Sequence, residues 1–243
     1  MASIAIYSVK GGVGKTTFAA NLGWCAAANS SRRTLVWDLD PANGSGFLLG
    51  AKPRKRKAAS GAFTKDIDPA KLIRKTAYKN LHVLPADESL RLLDRDLAKM
   101  GGKKRLAKLV ARLSKYYDRI IFDCPPVMNE VSAQVIRAAD LIIVPLPPSP
   151  LSRRALETVV YTVEDSRKKH PPILPVLSMM DMRRTLHRAV REGNPKWPAV
   201  PLAAAIEQCA VRQEPVGVFA PKSVAARAFA QLWTAIERKL AKG

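Results

Sequence analysis

Residues 2–17, Ala-Ser-Ile-Ala-Ile-Tyr-Ser-Val-Lys-Gly-Gly-Val-Gly-Lys-Thr-Thr, constrain this chain more than any other stretch. The mostly apolar run over 4–9 reads as a short buried strand. Gly11, Gly12 and Gly14 break it, and Lys15-Thr16-Thr17 opens an alanine-rich helical segment. A strand feeding a glycine loop that feeds a helix is the setting a phosphate-binding loop requires. Glycines let the backbone turn tightly and bring its N–H groups close to phosphate oxygens. The helix start adds unpaired N–H groups and the positive end of the helix dipole. Gly11, Gly12, Val13, Gly14, Lys15, Thr16 and Thr17 are therefore the candidate nucleotide contacts. Lys15 is placed to reach the β- and γ-phosphates, and the Thr16 hydroxyl to hold Mg²⁺. The pattern is not the common G-x-x-x-x-G-K-[ST], because Val9 stands where its first glycine belongs. It reads K-G-G-x-G-K-[ST], with a second lysine, Lys10, ahead of the glycines.

Strand-like runs recur down the chain, at 34–40, 81–86, 117–123, 140–146, 173–180 and around 200–202, separated by amphipathic segments. Helices are predicted over 18–28, 67–78, 89–99, 104–115, 151–167 and 224–240. That alternation predicts an α/β fold, a mostly parallel central sheet with helices on both faces and right-handed crossovers. With 243 residues, 47% of them apolar, one domain spanning 1–243 is expected. No apolar run is long enough to cross a membrane, and no basic, apolar leader precedes the first strand. Cys25, Cys124 and Cys209 are scattered without metal-ligand spacing and read as reduced thiols, so a cytoplasmic protein is expected.

Two further stretches carry carboxylates to strand ends. In 34–40, period two puts Asp38 and Asp40 on one face at the C-terminal end, where open α/β sheets bind ligands. Beside a phosphate loop they are candidates for holding Mg²⁺ or positioning water. In Arg119-Ile120-Ile121-Phe122-Asp123-Cys124-Pro125-Pro126, three bulky apolar residues precede Asp123, a buried strand delivering a carboxylate towards Mg²⁺.

Together these segments resemble the ParA/MinD family of ATPases, whose phosphate loop is the deviant Walker A motif. The chain is most similar to the short chromosomal members. Asp38-Leu39-Asp40-Pro41 resembles the family's D-x-D-P-Q-x-N, although Ala42 replaces the glutamine and the asparagine is shifted by one. Asp123-Cys124-Pro125-Pro126 resembles D-x-P-P, and Met180-Asp181-Met182-Arg183-Arg184-Thr185 resembles M-x-D-x-R-T. The resemblance implies an ATP hydrolase, slow without its partner, that closes as a homodimer around ATP and Mg²⁺. It implies Lys10 reaching the other subunit's nucleotide, Asp40 orienting the attacking water and Asp123 linked to Mg²⁺. It also implies non-specific duplex DNA as a ligand, nucleoid association, and a ParB-like or cargo-adaptor protein that stimulates hydrolysis. Such a protein segregates a chromosome or plasmid, or positions a protein cluster. The family's paired arginines after the last strand are absent: 203–206 reads Ala-Ala-Ala-Ile.

Charge supports a polyanionic partner independently. Lys and Arg total 41 against 20 acidic residues, a net charge of +21. Candidate DNA contacts are the run Arg54, Lys55, Arg56 and Lys57, which an exposed linker also explains, and the cationic face of Lys104, Arg105 and Lys108. Arg183, Arg184, Arg188 and Lys222 complete the set. Two other readings belong to the same superfamily. In a MinD-like switch the C-terminal helix, with apolar residues Phe229, Leu232, Trp233, Ile236 and Leu240, binds lipid. A metal-cluster carrier needs paired cysteines, which this chain does not offer.

Overall fold

The apolar runs over 4–9, 34–40, 117–123 and 140–146 each yield a strand buried on both sides. The computed structural model describes residues 1–53, 58–64, 67–100, 104–166 and 170–241. Its strands are β1 (Ala2–Ile6), β2 (Thr34–Asp38), β3 (Arg74–Lys75), β4 (Leu81–Leu84), β5 (Arg119–Asp123), β6 (Leu141–Leu146), β7 (Ile173–Met180) and β8 (Ala199–Pro201). They form one sheet in the order β3-β4-β2-β5-β1-β6-β7-β8. All neighbours are parallel except β3, which pairs antiparallel with β4.

The helices are α1 (Lys15–Asn29), α2 (Gly44–Leu48), α3 (Gly61–Thr64), α4 (Leu93–Lys99), α5 (Arg105–Leu113), α6 (Glu130–Ala138), α7 (Pro150–Ser166), α8 (Thr185–Gly193), α9 (Ala204–Arg212), α10 (Val216–Phe219) and α11 (Val224–Leu240). Strand alternation sends successive side chains to opposite faces. Ala5, Tyr7, Leu35, Trp37, Ile120, Phe122, Ile142 and Val144 meet the apolar stripes of α3 to α7. Ile4, Ile6, Val36, Ile121, Leu141 and Ile143 meet α1, α2 and α9 to α11 on the other side. The result is the expected α/β class, with helices on both faces of a mostly parallel sheet.

Several expectations are corrected. The helix predicted over 67–78 is instead a 3₁₀ turn (Pro69–Lys71) followed by β3. Asp68 caps the turn by accepting from the Ala70 N–H, and Arg74 and Lys75 then pair with Val83 and His82 at the sheet edge. Edge pairing outweighs a weak helical pattern, and lysine and arginine there blunt the open edge. The segment 89–99 divides into a 3₁₀ turn (Glu88–Leu92) and α4. The run 34–40 ends as a strand at Asp38, so Asp38 and Asp40 do not share a strand face. The helix α6 has no counterpart among the helices predicted above. Its signal is a capping box, in which the Asn129 side chain accepts from the Ser132 N–H while the Ser132 hydroxyl accepts from the Asn129 N–H.

Candidate nucleotide site

The order β2-β5-β1 in the sheet centre determines what meets at the strand ends. The glycine loop of residues 10–14 leaves β1, Asp40 follows β2, and β5 carries Asp123 between them. Asp123 is the register partner of both Ile6 and Asp38. Residues from three distant parts of the chain thereby converge at the C-terminal edge of a parallel sheet, where such sheets bind ligands.

In the loop, Gly12 and Gly14 hold φ of 69° and 95°, left-handed values that favour glycine. Gly14 is the residue from which α1 starts at Lys15. Among the described residues the N–H groups of Gly11, Gly12, Val13 and Gly14 have no hydrogen-bond partner, so the loop presents a row of donors. The Val13 carbonyl accepts from the Ser178 hydroxyl at 3.2 Å, tying the loop to β7.

Lys15 is only 8% exposed, and its Nζ donates to the Lys10 carbonyl at 3.2 Å. Burial lowers its pKa, while the nearby Asp123 and Asp40 carboxylates act to raise it. Thr16 and Thr17 are half-buried on the first turn of α1. Lys10 lies within its own chain, its Nζ 3.4 Å from Ser149 Oγ and 3.5 Å from Ser152 Oγ at the start of α7. Those distances exceed the usual range for N–H···O bonds, so the ammonium is loosely held.

The three carboxylates differ sharply. Asp38 is fully buried and accepts from the Ser45 N–H and hydroxyl at 2.9 Å each, from the Gly46 N–H at 3.3 Å and from the Asp40 N–H at 3.0 Å. Its oxygens are engaged in holding the 39–46 turn. Burial still raises its pKa to about 6, against the pull of those hydrogen bonds. Asp40 is half-buried, and one oxygen accepts from the Ala42 N–H at 3.0 Å. Asp123 is 1% exposed, and neither oxygen makes a hydrogen bond of standard geometry. Burial raises its pKa well above the usual range, and the Asp38 carboxylate beside it adds to that. The nearby Thr16 and Ser45 hydroxyls pull the other way.

A buried carboxylate left without partners costs stability, so it calls for an explanation. Asp123 beside the Thr16 hydroxyl offers hard oxygen donors in the few-ligand arrangement that suits Mg²⁺, an ion that keeps waters and substrate phosphates in its shell. The residues present therefore fit that ion. The same geometry predicts a pH effect. Asp38 and Asp123 bind protons more tightly when folded, so their contribution favours the fold at low pH and is lost as pH rises through the folded pKa. In chelator, without nucleotide, the protein should lose stability between about pH 4 and about pH 6, on the order of 3 kcal/mol from Asp38. Asp123→Asn removes its own share and should melt above wild type at pH 7.5. Melting curves at pH 5 and 7.5 check this, and a lower Tm for the variant at pH 7.5 contradicts it.

Features outside the motifs complete the site. Ser45, Gly46, Ser149, Ser152 and Ser178 all contact site residues, yet none stands in a readable pattern. A cavity of about 380 Å³ borders Thr16 and Thr17, and Val13, Met179, Leu202 and Ile206 are among the residues that line it. Met179 has φ of 53° where the β7–β8 register shifts, which re-aims the strand end towards this cavity.

The DNA candidates are not brought together. Arg54, Lys55, Arg56 and Lys57 lie outside the described residues. Lys104 and Lys108 are exposed and Arg105 half-buried on or beside α5, under the β4 side of the sheet. Arg183, Arg184 and Arg188 are exposed at the β7–α8 junction, at the other end. Asp181 pairs with Arg183 at 2.8 Å and with Arg184 at 3.7 Å. Lys222 is exposed before α11.

A family profile described as an AAA domain matches residues 1–176. The chain is similar to the chromosome partitioning protein ParA of Myxococcus xanthus, 32% identical over 196 residues, covering 78% of this chain and 69% of that one. It is also similar to the sporulation initiation inhibitor Soj of Bacillus subtilis, 28% identical over 242 residues and covering 94% and 95%. The ATP complex of Cyanothece McdA(D38A) superposes with a TM-score of 0.85 at 22% identity, covering 99% of this chain and 96% of that one. Solved structures of this fold include complexes with ATP, with an ATP analogue and magnesium, and with Mg-ADP.

Proposed function

The chain belongs to the ParA family of ATPases, and from that premise we propose that it is a partition or positioning ATPase. In this reading the 1–243 chain is one ATPase domain that dimerises with ATP and holds duplex DNA without sequence preference. A ParB-like or adaptor protein stimulates hydrolysis and so releases it. The observation that carries the reading is Asp123, buried and unpartnered between the phosphate-binding loop and Asp40.

Phosphoryl transfer is catalysed chiefly by positioning and charge stabilisation. The N–H groups of residues 11–14 cradle the phosphates, and Lys15, already desolvated, leaves the Lys10 carbonyl to meet the β- and γ-oxygens. The apolar cavity lined by Met179 and Ile206 takes the base. Asp40, with one oxygen outside its turn, orients the attacking water. Thr16 and Asp123 would hold Mg²⁺, which when bound would neutralise phosphate charge. Asp38 supports the turn that places Asp40.

Lys10, only loosely held by Ser149 and Ser152, swings out to the nucleotide of a second copy. Exposed Val127, Met128 and Leu151 on the same side of the molecule offer apolar surface for that contact. The lipid-binding reading loses its support, because Phe229, Leu232, Trp233 and Ile236 of α11 are buried and Trp233 Nε1 donates to the Ser30 hydroxyl. Among the described residues no helix is long and apolar enough to cross a membrane.

The charge of +21 supports DNA as the polyanion. With Mg-ATP the protein should be retained on duplex DNA of any sequence. A dimer neutralising ~6 phosphates should show a log–log salt slope near about −5. Fluorescence anisotropy across salt concentrations reads the slope, and absence of binding at about 50 mM salt overturns the DNA part of the reading.

A further inference from the structure

The sheet has a second concave edge. β2, β4 and β5 begin side by side at Thr34, Leu81 and Arg119, at the end of the sheet away from the nucleotide site. A cavity of about 450 Å³ opens there, lined by Arg33, Lys75, Asn80, His82, Tyr116 and Tyr117 over an apolar floor of Ile73 and Leu113. The antiparallel turn of β3 against β4 is what brings Lys75 opposite His82. The His82 ring is fixed by a 2.8 Å hydrogen bond between its Nδ1 and Tyr117 Oη. Among the described residues no carboxylate lines the cavity. Asp118, next in the chain, pairs with Arg33 at 3.5 Å from outside the lining.

Lys71, Lys79, Arg112 and Lys115, each next in sequence to a lining residue (Ala70, Asn80, Leu113 and Tyr116), are all exposed. Among the described residues none of these four, nor Lys75, is in an ion pair. The arginines at the β7–α8 junction differ, since Asp181 pairs with two of them. Tyr116, 62% exposed, is the one large aromatic standing at this rim among the described residues.

We propose that this edge, from Lys75 and Lys79 across Arg33 to Arg112 and Lys115, is a contact surface for the phosphate backbone of duplex DNA. The proposal rests on the DNA reading above and gives it a location. Four lysines and Arg112 without ion pairs among the described residues, flanking a concave pocket with no carboxylate in its described lining, match a polyanion that presents phosphates at regular spacing. An anionic membrane fits less well, because peripheral lipid binding needs several apolar side chains to insert and only Tyr116 is offered. The surface also lies away from the nucleotide, so ATP need not reshape it. Dimerisation doubles the number of patches on one particle, and binding strengthens through effective concentration.

The test compares full-length wild type with the triple variant Lys75→Gln, Lys79→Gln, Lys115→Gln in Mg-ATP. Anisotropy on a random-sequence duplex gives the slope, and a fluorescent ATP analogue confirms that the nucleotide site is intact. The triple variant should shallow the slope by up to about 5, from roughly 0.9 for each phosphate no longer neutralised, three per protomer and so six across the two patches of the dimer. A second triple variant, Arg183→Gln, Arg184→Gln, Lys222→Gln, should change the slope by less than about 1. If wild type binds and the edge variant keeps its slope, the location is wrong while the DNA reading stands. If wild type binds no duplex, both fall. If wild type instead sediments with phosphatidylserine vesicles and the edge variant does not, the surface is a lipid site and the proposal is overturned.

Discussion

Lys15→Ala should abolish measurable nucleotide binding at micromolar ATP. Lys15 is 8% exposed, donates to the Lys10 carbonyl and lies near the Asp123 and Asp40 carboxylates, so its ammonium enters the complex already desolvated. Truncating one partner of a buried, hydrogen-bonded charge pair costs roughly 2–5 kcal/mol, or about 30-fold to several thousand-fold in Kd. A second consequence sets this variant apart from one that merely binds ATP less tightly. Lys15 also offsets the negative charge of Asp123 and Asp40, so its removal leaves Asp123 buried with less compensation. The nucleotide-free variant should therefore melt below wild type at pH 7.5, and the deficit should be no larger at pH 5, because burial raises the Asp123 pKa and lower pH favours its neutral form. Isothermal titration with ATP and melting at the two pH values check both effects. Binding within threefold of wild type would remove Lys15 from the phosphate site.

Asp40→Ala should separate binding from turnover. Asp40 is half-buried, holds the Ala42 N–H with one oxygen and makes no other side-chain hydrogen bond among the described residues. A group that positions water acts in the transition state rather than on ground-state ATP. Its loss should lower turnover by about 10²- to 10⁴-fold and leave ATP affinity within a few-fold. The ATP-bound dimer should then outlive that of wild type, because its only exit is slowed. Phosphate release and dimer lifetime on dilution are the readouts, and unchanged turnover would take Asp40 out of the mechanism.

What the sequence made legible follows from where the physics is local. The 2–17 segment declares itself because a buried strand, left-handed glycines and a helix start each leave separate marks on neighbouring residues. β5 is legible for a similar reason, as Ile120, Ile121 and Phe122 face opposite helix layers and all must be apolar. The 67–78 segment misleads because its outcome depends on a partner strand: Arg74 and Lys75 have no strand-like alternation, and only pairing with Val83 and His82 fixes them. The division of labour between Asp38 and Asp123 is equally non-local. Both are aspartates at the ends of adjacent strands, and the sequence cannot say that the 39–46 turn saturates one and leaves the other bare. Lys10 meets serines 139 and 142 residues away. The basic edge around Lys75 is likewise assembled from four separate segments.

The central claim is that ATP assembles two copies of this chain through Lys10. Light-scattering mass measured across a size-exclusion peak tests it most directly. Wild type should run at the chain mass of 26.6 kDa without nucleotide or with ADP. It should shift to twice that mass with Mg-ATP under conditions of slow turnover, and Lys10→Ala should bind ATP and stay at the single-chain mass. A wild-type mass that is the same in every nucleotide state, or a Lys10→Ala variant that dimerises like wild type, would contradict it.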